Sequence, residues 1–114
     1  MGTARPPRPV KLICSIISGD PALPDAAQER LEALYGPVDF RSSSLPFDHT
    51  DYYTPEMGPG LERRIVAFAE LVDPGRLAEI KLQTNALEQE WAVGGRRRVN
   101  LDPCLLYTSP SPRD

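Results

Sequence analysis

The chain has 114 residues, with 13 Lys and Arg against 16 Asp and Glu, which gives a formal net charge of −3. This length suits one small domain at most, and the mild acidity argues against a general nucleic-acid binder, which would present a basic surface. The apolar stretch 12–17 is too short to span a membrane and no small-residue cleavage site follows it. We therefore expect a cytoplasmic protein without a membrane anchor.

The first third of the chain predicts a strand and a helix. Residues 10–18 are rich in Val, Ile and Leu and end at a Gly-Asp-Pro turn, a pattern typical of a strand buried on both faces. A helical pattern then runs from Pro24 or Asp25 to Tyr35, where a Gly-Pro pair stops it. We expect Asp25 to cap this helix, with Gln28 completing a pair that resembles a capping box.

The middle of the chain is less regular. Residues 38–47 indicate an edge or irregular strand, because three serines interrupt it and Pro46 bounds it. Residues 48–60 mix polar, aromatic, Pro and Gly residues without a period, which predicts a long ordered or functional loop. Residues 61–72 fit a helix or a strand, and the compact apolar run at 65–68 favours a strand over 64–71.

The second helix has the clearest signals in the sequence. Asp73 is expected at its N-cap and Pro74 at its first helical position. Its apolar stripe recurs at three- and four-residue spacing, at Leu77, Ile80, Thr84, Leu87 and Trp91. Two consecutive glycines then end the helix.

Residues 96–101 alternate and predict a last strand. Three residues share one face of this strand, namely Arg97, Val99 and Leu101. Polar side chains occupy the other face, namely Arg96, Arg98, Asn100 and Asp102.

The order strand, helix, strand, strand, helix, strand predicts an α+β fold. In the ferredoxin-like βαββαβ arrangement, both helices would pack on one face of a mostly antiparallel sheet. An α/β fold stays open as the alternative, because the second and third strands are weak. The fold by itself gives no function in either case.

The last eleven residues, 104–114, lack periodicity and end in alternating prolines. They back-translate at every residue into a transposon-type library adapter. We therefore predict that 104–114 is adapter-derived and not native, and that the native domain is cut after Pro103. Residues 1–9 are expected to be a flexible Pro/Arg-rich leader, and 10–103 the N-terminal part of a single α+β domain.

Three segments of the chain resemble family 4416 of the prokaryotic domains of unknown function. They are DHTDYYTPEMGPGL at 48–61, IKLQTNALE at 80–88 and RRVNLDP at 97–103. The resemblance covers residues 11 to 103 and implies no established activity. It implies that the family's recurring polar positions are Asp51, Tyr52, Tyr53, Glu56, Lys81, Asn85, Arg98, Asn100 and Asp102.

The residues themselves make several of these positions chemically suggestive. Asp51 and Glu56, with the phenols of Tyr52 and Tyr53, could bind a polar ligand, coordinate a hard cation or act as general acid and base. The competing reading is a loop held by its own hydrogen bonds. Arg98 suits bidentate capture of a carboxylate or phosphate, or else forms an ion pair that fixes the loop to the sheet.

Other candidate sites have weaker support. Lys81, Asn85 and Glu88 share a side of the second helix, a row that is usually a solvated face. His49 has no Cys or His at ligand spacing, so a zinc site is not expected. The chain contains no GxxxxGK[ST] phosphate loop, and no cofactor is indicated.

Two functional hypotheses follow. In the first, the domain binds a small anionic ligand, of nucleotide or phosphate type, and acts on it or only holds it. Arg98 would hold the anion, while Asp51, Glu56 or Asp102 would serve as acid, base or cation ligand. In the alternative, a non-enzymatic module binds RNA or a protein partner through the basic residues 96–98 and the Tyr-rich loop, although the predicted strands lack the aromatic residues of an RNA platform.

Overall fold

The fold is built from a sheet and two long helices, with one short helix between them. The computed structural model describes residues 8–47 and 54–107. The elements are β1 (Lys11–Ser18), α1 (Leu23–Tyr35), β2 (Val38–Arg41), β3 (Leu45–Pro46), α2 (Thr54–Met57), β4 (Glu62–Phe68), α3 (Leu77–Glu90) and β5 (Val99–Leu106).

The sheet has five strands in the order β2-β4-β1-β5, and β3 adds to β4 beside β2. Every one of these pairings is antiparallel. Strands β1 and β4 therefore form the centre, while β2 and β5 lie at opposite edges. The predicted α+β class, with two main helices and a mostly antiparallel sheet, is confirmed.

Both long helices pack on the same face of the sheet. The Tyr35 hydroxyl of α1 donates a hydrogen bond of 2.6 Å to Gln83 of α3, and Arg30 pairs with Glu90 across the same two helices. The core between sheet and helices includes Leu12, Cys14, Ile16, Ala27, Leu31, Val66, Phe68, Ile80, Leu87, Val99 and Leu101. The opposite face of the sheet carries no long helix in the part of the chain that the structure describes.

Strand β1 is buried throughout on the face under the helices, whereas its other face is buried only at Ile17, so the predicted burial on both faces holds only near the end of the strand. Leu12, Cys14 and Ile16 are buried under the helices, whereas Ile13 and Ser15 point to the other face and are only half-buried. The apolar run hid this difference, because isoleucine occurs on both faces of the strand. The open face is therefore more apolar than a solvated sheet face needs to be.

Helix α1 begins two residues before the predicted cap at Asp25. Its N-cap is Ala22, which makes no side-chain hydrogen bond to the helix. Asp25 lies instead in the first turn and accepts a hydrogen bond of 2.8 Å from Arg64 of β4. The helix ends as predicted at Gly36, whose φ of 95° favours glycine.

The predicted irregular strand over 38–47 consists of the edge strand β2 and the two-residue strand β3. The Ser42 hydroxyl separates them by accepting a hydrogen bond of 2.9 Å from the Ile65 amide. Strand β4 runs two residues earlier than predicted, because Glu62 and Arg63 pair with β3. Leu71 lies beyond the strand and is 55% exposed.

Asp73, predicted as the N-cap of the second long helix, caps the short 3₁₀ turn that precedes it, and the N-cap of α3 itself is Arg76. The Asp73 carboxylate accepts the Gly75 amide at 2.9 Å, and a single 3₁₀ turn, Pro74–Arg76, leads into α3. Ile80, Thr84 and Leu87 are buried on the predicted stripe. The sequence therefore defined the buried face of α3, apart from one glutamate described below.

The last strand differs most from its prediction. Residues 93–96 form a tight turn, and β5 begins only at Val99 and continues through Leu106. Cys104 pairs with Ile13, and Leu106 with Lys11. The first three residues of the segment predicted to be adapter-derived thus complete the ladder with β1, because backbone pairing does not depend on the identity of the side chain.

Phe68, the last residue of β4, provides a test of the packing. Phe68 is 1% exposed and meets Tyr35 edge to face at 5.8 Å between ring centroids. We expect Phe68→Ala to lower the free energy of unfolding by about 3–5 kcal/mol, because it removes buried area and leaves a cavity. Leu82→Ala on α3, where Leu82 is 70% exposed, is the control and should change it by less than about 0.5 kcal/mol. Urea denaturation measures both, and equal effects would contradict this packing.

Candidate functional site

An open cleft of about 590 Å³ lies beside the start of β5. Three segments enclose it: the turn after β1, the end of α2 with the residues that follow, and the turn before β5. Its lining residues are Gly19, Asp20, Pro21, Glu56, Met57, Gly58, Pro59, Val93, Arg96, Arg97 and Arg98. The volume falls in the range of small-molecule sites.

The turn before β5 brings consecutive arginines to the cleft. Val93 and Arg96 exchange two backbone hydrogen bonds of 2.9 and 3.0 Å, which closes a two-residue turn. Gly94 and Gly95 occupy its centre with φ of 60° and 78°, values that side chains other than glycine rarely adopt. The glycine pair therefore does more than end α3, because it sets the point from which Arg96, Arg97 and Arg98 extend.

Arg97 is the most highly connected of the three arginines. Its backbone amide and its Nε both donate to Glu56 Oε2, at 2.8 and 2.9 Å, and its Nη2 donates to Glu56 Oε1 at 2.9 Å. Nη1 donates to Asn100 Oδ1 at 2.8 Å and lies 3.6 Å from Glu88. This bidentate geometry is the strong form of an arginine–carboxylate pair. Arg97 thus joins α2, β5 and α3.

Glu88 is buried, which corrects the expectation that it belongs to a solvated face of the helix. It is 4% exposed, and its Oε2 accepts the Leu101 amide at 2.6 Å. Leu101 is on the edge strand β5, and the bond shows that its amide points away from β1. Pro103, two residues along, has the same orientation and has no amide hydrogen to satisfy.

Arg98 pairs with Asp20 across the cleft, a partner that the sequence did not suggest. The Ser18 side chain also holds this turn through backbone groups. Its Oγ donates to the Arg98 carbonyl at 2.7 Å and accepts the Asp20 amide at 3.1 Å. The Arg98 side chain stays 44% exposed. Arg98 lies just before β5, so it is not part of the strand face that its alternation with Asn100 and Asp102 predicted.

Arg96 completes the series and differs from its neighbours. It is exposed, lines the cleft and forms no ion pair with any residue in 8–47 or 54–107. Arg97 is therefore bound by several partners, Arg98 has a single carboxylate partner in Asp20, and Arg96 has no carboxylate partner within these ranges.

The predicted site residues divide into four groups. Glu56 and Arg98 line the cleft, and Asn100 supports it by accepting from Arg97. Asp102 lies on the open sheet face, where Lys81 approaches it to 3.9 Å from the helix. Asn85 is exposed on α3. The predicted positions outside the described residues are Asp51, Tyr52 and Tyr53, together with His49.

Four charged residues at the site were not among the predicted site residues: Asp20, Glu88, Arg96 and Arg97. Arg97 was assigned to the apolar face because alternation was counted from residue 96, whereas the strand starts at Val99. Glu88 follows directly on the buried Leu87, and this position at the border of the stripe was the one available signal. Asp20 carried the signal of a turn residue only.

The two glutamates around Arg97 have pKa values shifted in opposite directions. Hydrogen bonds from the Arg97 side chain hold the pKa of Glu56 below its ordinary value. Burial raises the pKa of Glu88, although the Leu101 amide and Arg97 act against this effect. The difference follows from position, because Glu56 is partly open to solvent while Glu88 is buried between α3 and β5.

Two absences, of a metal site and of a membrane-spanning helix, are stated for the described residues only. No group of three His, Cys, Asp or Glu side chains among them could hold a metal ion. None of their helices is long and apolar enough to cross a membrane.

Fold and cleft together define an α+β domain with an arginine-lined surface site. The chain belongs to the family described as Domain of unknown function (DUF4416), which matches residues 8–110. The resemblance seen in the three sequence segments is thus confirmed. The match extends past Pro103, and the adapter origin of 104–114 stays a prediction. Searches of curated proteins and of solved structures gave no match.

The shifted glutamates predict two opposite pH dependences. The native state binds a proton at Glu88 more readily than the unfolded chain does, so its contribution to stability decreases as pH rises from 4.5 through its raised pKa. The contribution of Glu56 is present above 4.5 and is lost as pH falls through its lowered pKa. We expect Glu88→Gln to remove the first dependence and Glu56→Gln the second.

Urea denaturation across this pH range measures both effects. Glutamine at position 88 keeps an oxygen that can accept the Leu101 amide, so the substitution tests the charge more than the hydrogen bond. A Glu88→Gln protein that loses stability above pH 4.5 as steeply as the wild type would contradict the assignment.

Proposed function

We propose that this domain binds a small anionic ligand, of nucleotide or phosphate type, in the cleft beside β5. The observation that carries the proposal is the exposed Arg96, which has no ionic partner among the described residues and lies next to Arg97 and Arg98 at an open cavity of about 590 Å³. Guanidinium groups match the geometry of phosphate and carboxylate oxygens. A cleft of this size accommodates a molecule larger than a simple ion.

The charges around the cleft assign different roles to the arginines. The Arg97 guanidinium is engaged by Glu56, Asn100 and Glu88, so it serves as the framework of the site. Arg96 and Arg98 have their charged ends available to a ligand, Arg96 directly and Arg98 once its pair with Asp20 opens. In this proposal these two side chains hold the anion.

The carboxylates that the sequence predicted as catalytic support a role in ligand binding better than a role in catalysis. Both oxygens of Glu56 accept hydrogen bonds from Arg97, and its lowered pKa makes it a poor proton acceptor near neutral pH. Asp102 is beside Lys81 and does not line the cleft. Glu56 therefore serves as the anchor of α2 in the proposal, and catalysis by Asp51 stays a prediction from the sequence.

We also infer that the arrangement is of the ferredoxin-like type. In that arrangement each helix connects two parallel strands that flank a third strand running the opposite way. The order β2-β4-β1-β5 supports this, since β4 lies between β1 and β2 without regard to the added strand β3. The cleft then lies at the end of the sheet where the last residue of β1 pairs with the first residue of β5.

The RNA-binding alternative has less support. A sheet that binds RNA stacks bases on aromatic side chains of its open face. Among the described strands, Phe40 on β2 is the exposed aromatic residue of that face, at the edge opposite the arginines. A small ligand at the cleft therefore accounts for the arginines with fewer additional features.

Isothermal titration with ADP and with inorganic pyrophosphate tests the proposal. We expect Arg96→Ala and Arg98→Ala each to weaken binding by about tenfold, because each removes a charge-assisted contact. Arg76→Ala is the matched control: it removes one exposed arginine that pairs with Glu79 away from the cleft, and it should leave binding unchanged.

The outcome is decisive if folding is monitored alongside. Thermal unfolding of each variant shows whether it folds, and Arg96 is expected to tolerate alanine because it is exposed. Equal loss with Arg76→Ala would indicate a general effect of net charge. No binding of either probe by the wild type would reject the proposal, and binding of single-stranded RNA lost in Arg96→Ala would favour the alternative.

A further inference from the structure

The ion pair between Arg98 and Asp20 lies inside the proposed site. Both side chains line the cleft, and they remain 44% and 28% exposed. A carboxylate thus already occupies the guanidinium that an anionic ligand would use. Among the described residues, the Arg98 side chain forms a hydrogen bond or ion pair with Asp20 alone.

We propose that the Asp20 carboxylate is an internal occupant of the anion site, which a ligand displaces from Arg98. The inference rests on the proposed function and adds a residue that sets the affinity of the site. Asp20 competes with the ligand in two ways: it neutralises Arg98 while the site is empty, and it repels the ligand's charge once the pair has opened.

The exposure of the pair makes the exchange physically reasonable. Ion pairs between solvent-exposed side chains contribute little to stability, since water and salt compete for both partners. A phosphate group carries more charge than a carboxylate and presents more acceptor oxygens. It can also contact Arg96 in the same step, which Asp20 does not do.

Asp20 can release Arg98 without disrupting the turn. Its Oδ1 accepts the Ala22 amide at 2.9 Å, whereas Oδ2 makes the contact with Arg98. Its own amide is bound by Ser18, which also holds the Arg98 carbonyl. The backbone framework of the cleft therefore stays in place while the two charged ends separate.

The test is titration of inorganic pyrophosphate into the wild type and Asp20→Asn at low ionic strength. Asparagine keeps the side-chain oxygen that accepts the Ala22 amide and replaces the charged oxygen that contacts Arg98 with a neutral NH2 group. We expect Asp20→Asn to bind pyrophosphate about tenfold more tightly than the wild type. In an Arg98→Ala background the same substitution should give a clearly smaller gain, because the competition for Arg98 is then absent.

The control is Asp39→Asn, which raises the net charge by the same amount. Asp39 pairs with Lys11 and lies on β2, at the sheet edge opposite β5. It should leave the affinity nearly unchanged. Tightening by Asp39→Asn equal to that by Asp20→Asn would overturn the inference, because it would trace the gain to overall charge.

The remaining outcomes separate this inference from the proposed function. Binding by the wild type together with unchanged or weaker binding by Asp20→Asn would overturn the inference alone, and would assign Asp20 to positioning Arg98. Binding by Asp20→Asn but not by the wild type supports both. Absence of binding in every variant rejects both, with thermal unfolding showing that the variants are folded.

Discussion

The buried carboxylate of Glu88 joins the edge strand β5 to Arg97, one of the residues that line the cleft. One oxygen accepts the outward amide of Leu101, and the other approaches Arg97. An edge strand with free amides invites pairing with other chains, and burying an unpaired carboxylate is costly. Each group removes the other's cost. Arg97 also donates to Glu56, which links the short helix α2 to the same group of residues.

The three consecutive arginines differ in how their side chains are bound, although they form one pattern in the sequence. Arg97 donates hydrogen bonds to Glu56 and Asn100 and forms an ion pair with Glu88, Arg98 has one partner in Asp20, and Arg96 is exposed. The difference follows from the turn at 93–96, which ends the regular alternation before the strand begins. A rigid central guanidinium flanked by two more accessible ones is an arrangement suited to anion binding, since the framework need not reorganise when a ligand arrives.

Much of the fold was predictable because local signals and burial agree over long stretches. Local sequence patterns predicted the periodicity of α3, the capping role of Asp73 just before it and the end of α1 at Gly36. The errors lie where tertiary pairing overrides local pattern. Strand β4 starts early because its first residues pair with β3, and Asp25 accepts a hydrogen bond from Arg64 of β4 instead of capping α1. Neither partner is close in sequence.

The sequence by itself determined the α+β class, the family and the concentration of charge at residues 96–98. Only the tertiary structure decided which arginine is structural and which is available, because that depends on Asp20 and Glu88, carboxylates that lie 78 and 9 residues from Arg98 and Arg97 along the chain. Alternation along one strand cannot report contacts made by a turn and a helix. The residue types at 96–98 set the chemistry of the cleft, and the packing of α3 against β5 set which of these arginines is structural and which is available.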